Sequence, residues 1–188
     1  RLFEKMCGKL EAVLPSKPLR HLCNSAGIVR HHGLHYGLVR LGLGLYGVDS
    51  SHMLQNRLRQ ISTLTTSIAQ IRTIPAGDNI GYGHHTIAAQ EMRIATICIG
   101  YADGYPRSLG NGRAYVLIHD KPAKTIGSIC MDMCMVDISH IPEAKEGDDA
   151  IIFGKQLPVT QLASWAGTIS YEIMTSISQR VKRVYVNE

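Results

Sequence analysis

The stretch Arg93–Tyr105, RIATICIGYADGY, is the part of the sequence that decides the fold class. It opens with a short run of apolar and β-branched residues, and a glycine-containing segment follows directly. A run of this kind, bounded by turn residues, is typical of a β-strand. Similar runs occur at Ile61–Ile74, Ala114–His119, Met133–Ile138 and Ala150–Phe153. The sequence therefore predicts a mainly β fold with a C-terminal antiparallel β domain.

The N-terminal region has a different pattern. Apolar residues recur at helical spacing over residues 2–14, and prolines at positions 15 and 18 close that pattern. A short apolar run at 19–23, a short helix at 26–30 and a glycine-interrupted apolar run at 39–46 are predicted next. This strand–helix–strand order is typical of the end of a βα unit.

The β region itself is expected to contain one helix near Val159–Ala166, with Thr160 as its N-terminal cap. Val181–Val186 is expected to form a closing strand. The change of pattern places the boundary between residues 48 and 56. We therefore divide the chain into residues 1–50 and residues 51–188.

Composition excludes several classes of protein. The chain has 188 residues, of which 45% are hydrophobic, so neither disorder nor a collagen-like repeat is expected. No apolar run approaches the roughly 18 residues that a membrane-spanning helix requires. The net charge is +5, and the basic residues are scattered along the sequence. This favours a soluble protein or a site for anionic groups over a nucleic-acid binder. Five cysteines, an odd number, favour a reduced, cytoplasmic setting.

A metal site is not expected. Cys130 and Cys134 have no second pair of matched ligands, and zinc usually takes two closely spaced pairs. Small buried thiols explain these cysteines equally well. Gly42 and Gly44 lack the further glycine of a dinucleotide-binding fingerprint, so they form either a simple turn or a backbone site for phosphate.

Three other residues could carry chemistry. Arg40 lies within an apolar run, where a charge needs a partner, so it forms either a structural ion pair or a ligand contact. Tyr82 and Tyr101 each follow a glycine, and a tyrosine can transfer protons when its pKa is lowered from about 10. From these residues alone, packing and catalysis both remain open.

Read together, six short motifs resemble the C-terminal half of the bacterial alanine racemases, pyridoxal-phosphate enzymes of fold type III. In chain order the motifs are His21–Ala26 (HLCNSA), Val39–Gly47 (VRLGLGLYG), Gly81–Gly83 (GYG), Ile99–Gly104 (IGYADG), Ile129–Asp132 (ICMD) and Ser170–Glu172 (SYE). The resemblance extends over almost the whole chain. It implies that residues 1–50 are the end of an α/β (TIM-like) barrel that binds the cofactor, and that residues 51–188 are the β domain.

The resemblance also implies roles for the residues of a cofactor site. The cofactor is pyridoxal 5'-phosphate, and its phosphate is held by Ser25, by the backbone of Gly42 and Leu43, and by the hydroxyl of Tyr171. Arg40 faces the pyridine nitrogen, and His21 supports Arg40. This role would explain why a charged residue lies within an apolar run. An arginine that is always charged keeps the pyridine nitrogen unprotonated.

On the substrate side, the resemblance assigns proton transfer at the substrate Cα to Tyr82. Tyr101 lines the entrance, and the backbone N–H of Met131 contacts the substrate carboxylate. All three residues serve the site of a partner subunit, so a homodimer is implied. The activity implied is the interconversion of L- and D-alanine, which supplies D-alanine for peptidoglycan in the cytoplasm.

One departure from the family pattern is decisive. The lysine that forms the Schiff base, and that acts as the second acid/base, belongs to an N-terminal part of the barrel that this sequence lacks. A complete barrel takes about 250 residues. We therefore expect the chain to be a fragment that is inactive alone. Two alternatives are a same-family racemase acting on serine or a larger amino acid, and a non-catalytic β interaction module.

Overall fold

The computed structural model describes residues 2–51, 53–84 and 86–186. The chain divides into two compact units, one extending to Gln60 and the other beginning at Ile61. The first unit contains two α-helices, α1 (Leu2–Glu11) and α2 (Ser25–Arg30). Single 3₁₀ turns are present at His32–Leu34, Leu43–Tyr46 and Gln55–Arg57.

The short helix expected at residues 26–30 is confirmed as α2. Asn24 caps it, because its side-chain oxygen accepts a hydrogen bond from the Gly27 N–H at 3.0 Å. The strands expected on either side of α2 are wrong in extent. A single parallel bridge joins His21, in the first run, to Leu38, which directly precedes the second run. The second run turns into the 3₁₀ segment that begins at Leu43.

The second unit is a closed antiparallel barrel, which confirms the mainly β fold class. Within the described residues its strands are β1 (Leu64–Ile74), β2 (Met92–Ile97), β3 (Tyr115–Ile118), β4 (Lys121–Ile126), β5 (Cys134–Asp137) and β6 (Asp149–Phe153). Around the barrel they follow the order β1-β2-β5-β4-β3-β6. Closure pairs both edges of every strand, so the barrel leaves no open edge.

The inside of the barrel is filled by aliphatic side chains that the strand alternation turns inward. Ile97, Val116, Val136 and Ile152 come from four different strands and are fully buried. At least four of the six described strands therefore contribute to the core.

Strand β4 was not expected, because Lys121, Pro122 and Lys124 make its sequence look like a loop. Its buried residues nevertheless alternate, with Ala123 and Thr125 facing inward. A two-residue turn joins it to β3. His119 and Asp120 both have positive φ there, of 50° and 60°, as a type I′ hairpin turn requires.

The helix expected at Val159–Ala166 is confirmed as α3, but its predicted cap is wrong. Pro158 occupies the N-cap position and no side chain caps the helix, so Thr160 lies inside it. A further helix, α4 (Ser170–Ser176), was not expected. The closing strand predicted at 181–186 is also wrong: this segment is irregular, and its last three side chains are 70–92% exposed.

None of the helices in the described part of the chain is long and apolar enough to span a membrane.

Candidate active site

The first unit brings the hydroxyl of Ser25 together with the glycine-rich turn that follows residue 41. Ser25 is buried at the start of α2, and its Oγ accepts hydrogen bonds from the N–H groups of Gly42 at 2.9 Å and Gly44 at 3.4 Å. Leu43, the next residue on the turn, is also buried. Hydroxyl and main-chain N–H donors together suit phosphate oxygens, and here these two N–H groups are directed to the Ser25 Oγ.

Arg40 lies just before this turn and is exposed. Its backbone N–H donates to the carbonyl of Cys23 at 2.9 Å, and its guanidinium donates to the carbonyl of Leu22 at 3.2 Å. In the described residues no carboxylate pairs with it, so the structural ion pair considered from the sequence is absent there. His21 is exposed beside Leu22 and forms the bridge to Leu38.

Asp49, which sequence reasoning did not single out, anchors the chain after the glycine-rich turn. Its buried carboxylate accepts hydrogen bonds from the N–H and hydroxyl of Ser51, both at 2.8 Å, and from the N–H of Leu54 at 2.6 Å. Burial alone would raise the pKa of Asp49, but these hydrogen bonds outweigh it and lower the pKa to about 2. An Asp followed two residues later by Ser was the available sequence signal.

The second unit brings Tyr82, Tyr101 and Met131 into the lining of one pocket, of about 800 Å³. Two arginines, Arg72 and Arg107, line the same pocket and place positive charge beside the tyrosines. Neither arginine was singled out from the sequence.

Tyr82 is held on a loop whose ends are fixed. Ile80 is buried, and its N–H donates to the carbonyl of Thr86 at 2.8 Å. Gly81 has a positive φ of 77°, and a Cβ there would come within 2.8 Å of the Met135 side chain. The phenol of Tyr82 is 77% exposed, so the loop presents it toward solvent and the pocket.

Tyr101 and Met131 lie on two segments that are bonded to each other. The N–H of Tyr101 donates to the carbonyl of Cys130, and the N–H of Ala102 donates to the carbonyl of Met131, both at 3.0 Å. A Cβ on Gly100 would lie 2.3 Å from the Cys130 carbonyl oxygen, so this approach requires glycine. Within the described chain the Met131 N–H has no hydrogen-bond partner, which leaves it available to a ligand.

Cys130 and Cys134 line the same pocket. Cys134 is buried, and burial raises the pKa of its thiol, whereas Cys130 is half-buried. Tyr171 lies on α4 in the second unit and is half-buried. Its place beside the Ser25 hydroxyl therefore stays a prediction.

Comparison with known proteins shows the family of this chain. Residues 61–185 match the family "Alanine racemase, C-terminal domain", and residues 1–50 match "Alanine racemase, N-terminal domain". Alanine racemase from Desulforamulus reducens is 42% identical over 98% of this chain and 50% of its own length. The chain spans about half the length of the curated relatives it matches.

Solved structures agree as well. The alanine racemase from Streptomyces lavendulae superposes with a TM-score of 0.90 and 36% identity, over 99% of this chain and 50% of that one. The Bartonella henselae enzyme, solved with covalently bound pyridoxal phosphate, gives 0.84 and 32%, over 97% and 52%. The fold and the matches together show the class of protein: the chain has the C-terminal fold of the alanine racemases. It belongs to the alanine racemase family.

Proposed function

We propose that this chain is the C-terminal half of an alanine racemase that interconverts L- and D-alanine with pyridoxal 5'-phosphate. The product would supply D-alanine for peptidoglycan in the cytoplasm. The observation that carries the proposal is the single pocket that holds Tyr82, Tyr101 and Met131 in a chain of this family.

The first unit is suited to hold the cofactor. The hydroxyl of Ser25 and the N–H of Leu43 would bind its phosphate, and Tyr171 would add a second hydroxyl. The N–H of Gly42 would join them by exchanging its present bond to the Ser25 Oγ for one to a phosphate oxygen. The exposed guanidinium of Arg40 would face the ring nitrogen, with His21 supporting it. When bound, pyridoxal phosphate supplies a covalent link to the amino acid and withdraws electrons from its Cα.

Tyr82 would exchange a proton with the substrate Cα from one side. Racemisation needs a second group on the opposite side, because one face must lose a proton while the other gains one. We assign that role to a lysine outside this chain.

The substrate carboxylate would be bound by the free N–H of Met131, with Tyr101 beside it at the entrance. An anionic carboxylate is well served by a main-chain N–H in a pocket that carries two arginines. We further propose that Tyr82, Tyr101 and Met131 act in the site of a partner subunit, so that the working enzyme is a homodimer.

The proposal that the chain is one half of the enzyme rests on two observations. The chain spans about half of its relatives, and helix α1 exposes its apolar side chains. Leu2, Met6 and Leu10 are 72%, 56% and 56% exposed, an unusual amount for one helix face. An N-terminal half of the barrel would cover this face and supply the lysine. Residues 1–50 would then be the end of the barrel and residues 51–188 the β domain.

The test uses the full-length racemase that contains this chain, with L-alanine, L-serine and a larger amino acid as substrates. We expect D-alanine to form fastest, with loss of activity when the cofactor is removed and recovery when it is returned. Faster formation of D-serine would favour the same-family alternative. No turnover of any amino acid would favour the non-catalytic β module.

A further inference from the structure

Arg180 joins the two segments that carry Tyr101 and Met131. Its Nε lies 2.7 Å from Oδ1 of Asp103, and its Nη2 lies 2.6 Å from Oδ1 of Asp132. Asp103 ends the 3₁₀ turn that starts at Tyr101, and Asp132 directly follows Met131. One guanidinium therefore bridges both segments, although it is separated from these partners by 77 and 48 residues in sequence.

The segment that carries Arg180 is itself attached to the Tyr101 turn. The N–H of Ser178 donates to the Asp103 carbonyl at 3.0 Å, and the hydroxyl of Ser176 donates to the Gly104 carbonyl at 3.3 Å. A Cβ on Gly104 would lie 2.4 Å from the Ser176 carbonyl oxygen, so the two backbones are in close contact. The backbone two residues before Arg180 is thus held against the Tyr101 turn.

The two carboxylates differ in how firmly they are held. Asp103 is 14% exposed and also accepts a hydrogen bond from the Gly100 N–H at 2.9 Å, whereas Asp132 is 55% exposed. Exposed single ion pairs contribute little to global stability, but a planar guanidinium that bridges two carboxylates fixes their relative positions. We expect its effect on local order to exceed its effect on overall stability.

Arg180 does not line the pocket in the part of the chain that the structure describes. A role for it must therefore act through the residues that do. We propose that Arg180 is a positioning residue that holds the Tyr101 side chain and the Met131 N–H in register across the substrate pocket. The kinetic consequence rests on the proposed function, whereas the structural consequence does not.

The first measurement is amide hydrogen exchange in the full-length protein. Arg180→Gln removes both ion pairs, so the amides of Tyr101 and Ala102 should exchange about tenfold faster, while those of β2 keep their rates. Arg180→Lys keeps the charge and should recover part of the protection. Lys121→Gln is a matched control, because it also removes a half-exposed ion pair, with Glu143 at 2.6 Å, from the same unit.

The second measurement is racemisation by the same variants. Arg180→Gln should raise KM for both alanine enantiomers about tenfold and change kcat less than twofold, because it displaces binding groups without removing the acid/base. Arg180→Lys should give an intermediate KM, and Lys121→Gln should leave KM unchanged.

The outcomes separate the two proposals. Unchanged exchange at Tyr101 and Ala102 in Arg180→Gln overturns the positioning role, whatever the activity. Faster exchange with an unchanged KM overturns its effect on substrate binding. Faster exchange in a protein that has no racemase activity supports the positioning role while the proposed function fails. If Arg180→Gln does not fold, Asp132→Asn removes one pair at an exposed position and should shift the same two amides in the same direction.

Discussion

The two units differ in how they bury apolar side chains. The second unit closes six described strands around its own core, in which residues such as Ile97 and Val136 are fully buried. In the first unit, every residue of α1, all of which are described, is at least partly exposed. The second unit has a core of the kind that an independent domain needs, whereas α1 leaves its apolar side chains exposed.

The units also differ in the chemistry that they present. The first unit offers a hydroxyl and main-chain N–H groups suited to an anion, around Ser25 and Gly42. The second unit offers two phenols, a free N–H and two arginines around one pocket. Under the proposed function, the cofactor groups apart from Tyr171 therefore lie in one unit and the substrate groups in the other.

The largest effect is expected within the pocket of the second unit, where the two tyrosines are assigned different tasks. In the full-length racemase, Tyr82→Phe should slow proton removal from L-alanine by about a thousandfold, because it deletes an acid/base group. The Cα hydrogen of D-alanine should still exchange with solvent through the lysine. Exchange into deuterated water, followed from each enantiomer, measures this difference.

Tyr101→Phe should instead weaken binding of both enantiomers alike, by about tenfold. Tyr115→Phe is the control, because Tyr115 packs against Trp165 with ring centroids 4.6 Å apart and does not line the pocket. If Tyr101→Phe gave the one-sided loss and Tyr82→Phe the symmetric one, the two assignments would be reversed.

A smaller effect, on stability, compares the two units directly. In the 188-residue chain, Ile97→Ala should lower the free energy of unfolding by about 3 kcal/mol, because Ile97 is fully buried in the barrel. Leu10→Ala should lower it by less than about 0.5 kcal/mol, because Leu10 is 56% exposed. Urea unfolding followed by circular dichroism measures both changes.

The Leu10→Ala substitution also tests the proposal that α1 is covered in the complete enzyme. In the full-length racemase, the cost of Leu10→Ala should rise to about 2 kcal/mol, the range of a buried leucine. An equally small cost in both proteins would contradict an N-terminal segment packed on this face.

The smallest expected effect is a loss of stability of the first unit at acidic pH. The pKa of Asp49 is lowered from 3.8 to about 2, so its ionised form is favoured in the folded state. Its stabilisation is therefore complete above pH 3.8 and is lost as the pH falls toward 2. The amide resonances of Ser51 and Leu54, which donate to this carboxylate, should titrate with a midpoint near 2. Asp49→Asn should abolish that titration, and a midpoint near 3.8 would contradict the hydrogen-bonded carboxylate.

Much of the barrel could be predicted because its strands are short apolar runs ended by turn residues. The exception, β4, has two inward positions occupied by a small and a polar residue, Ala123 and Thr125, so its alternation carries little hydrophobic signal. Segment 181–186 was mistaken for a strand because its composition favours β structure. Composition does not reveal whether a neighbouring strand is available.

The residues of the candidate site likewise include some that could be predicted from the sequence and some that could not. Tyr82, Tyr101 and Met131 could be predicted to converge because each belongs to a recognisable motif. Arg180 could not, because its partners are distant in sequence and depend on how the barrel brings their loops together. The roles assigned to all of the site residues, His21 and Tyr171 included, stay predictions.

We infer that this chain supplies one half of a racemase site. The most direct test measures D-alanine formed from L-alanine, with added pyridoxal phosphate, by the 188-residue chain alone and by the full-length protein. We predict D-alanine from the full-length protein and none from the chain alone above a no-protein control. Borohydride should attach no cofactor to a lysine of the isolated chain. Turnover by the isolated chain at enzyme-like rates, or specific reduction of the cofactor onto one of its lysines, would contradict the account.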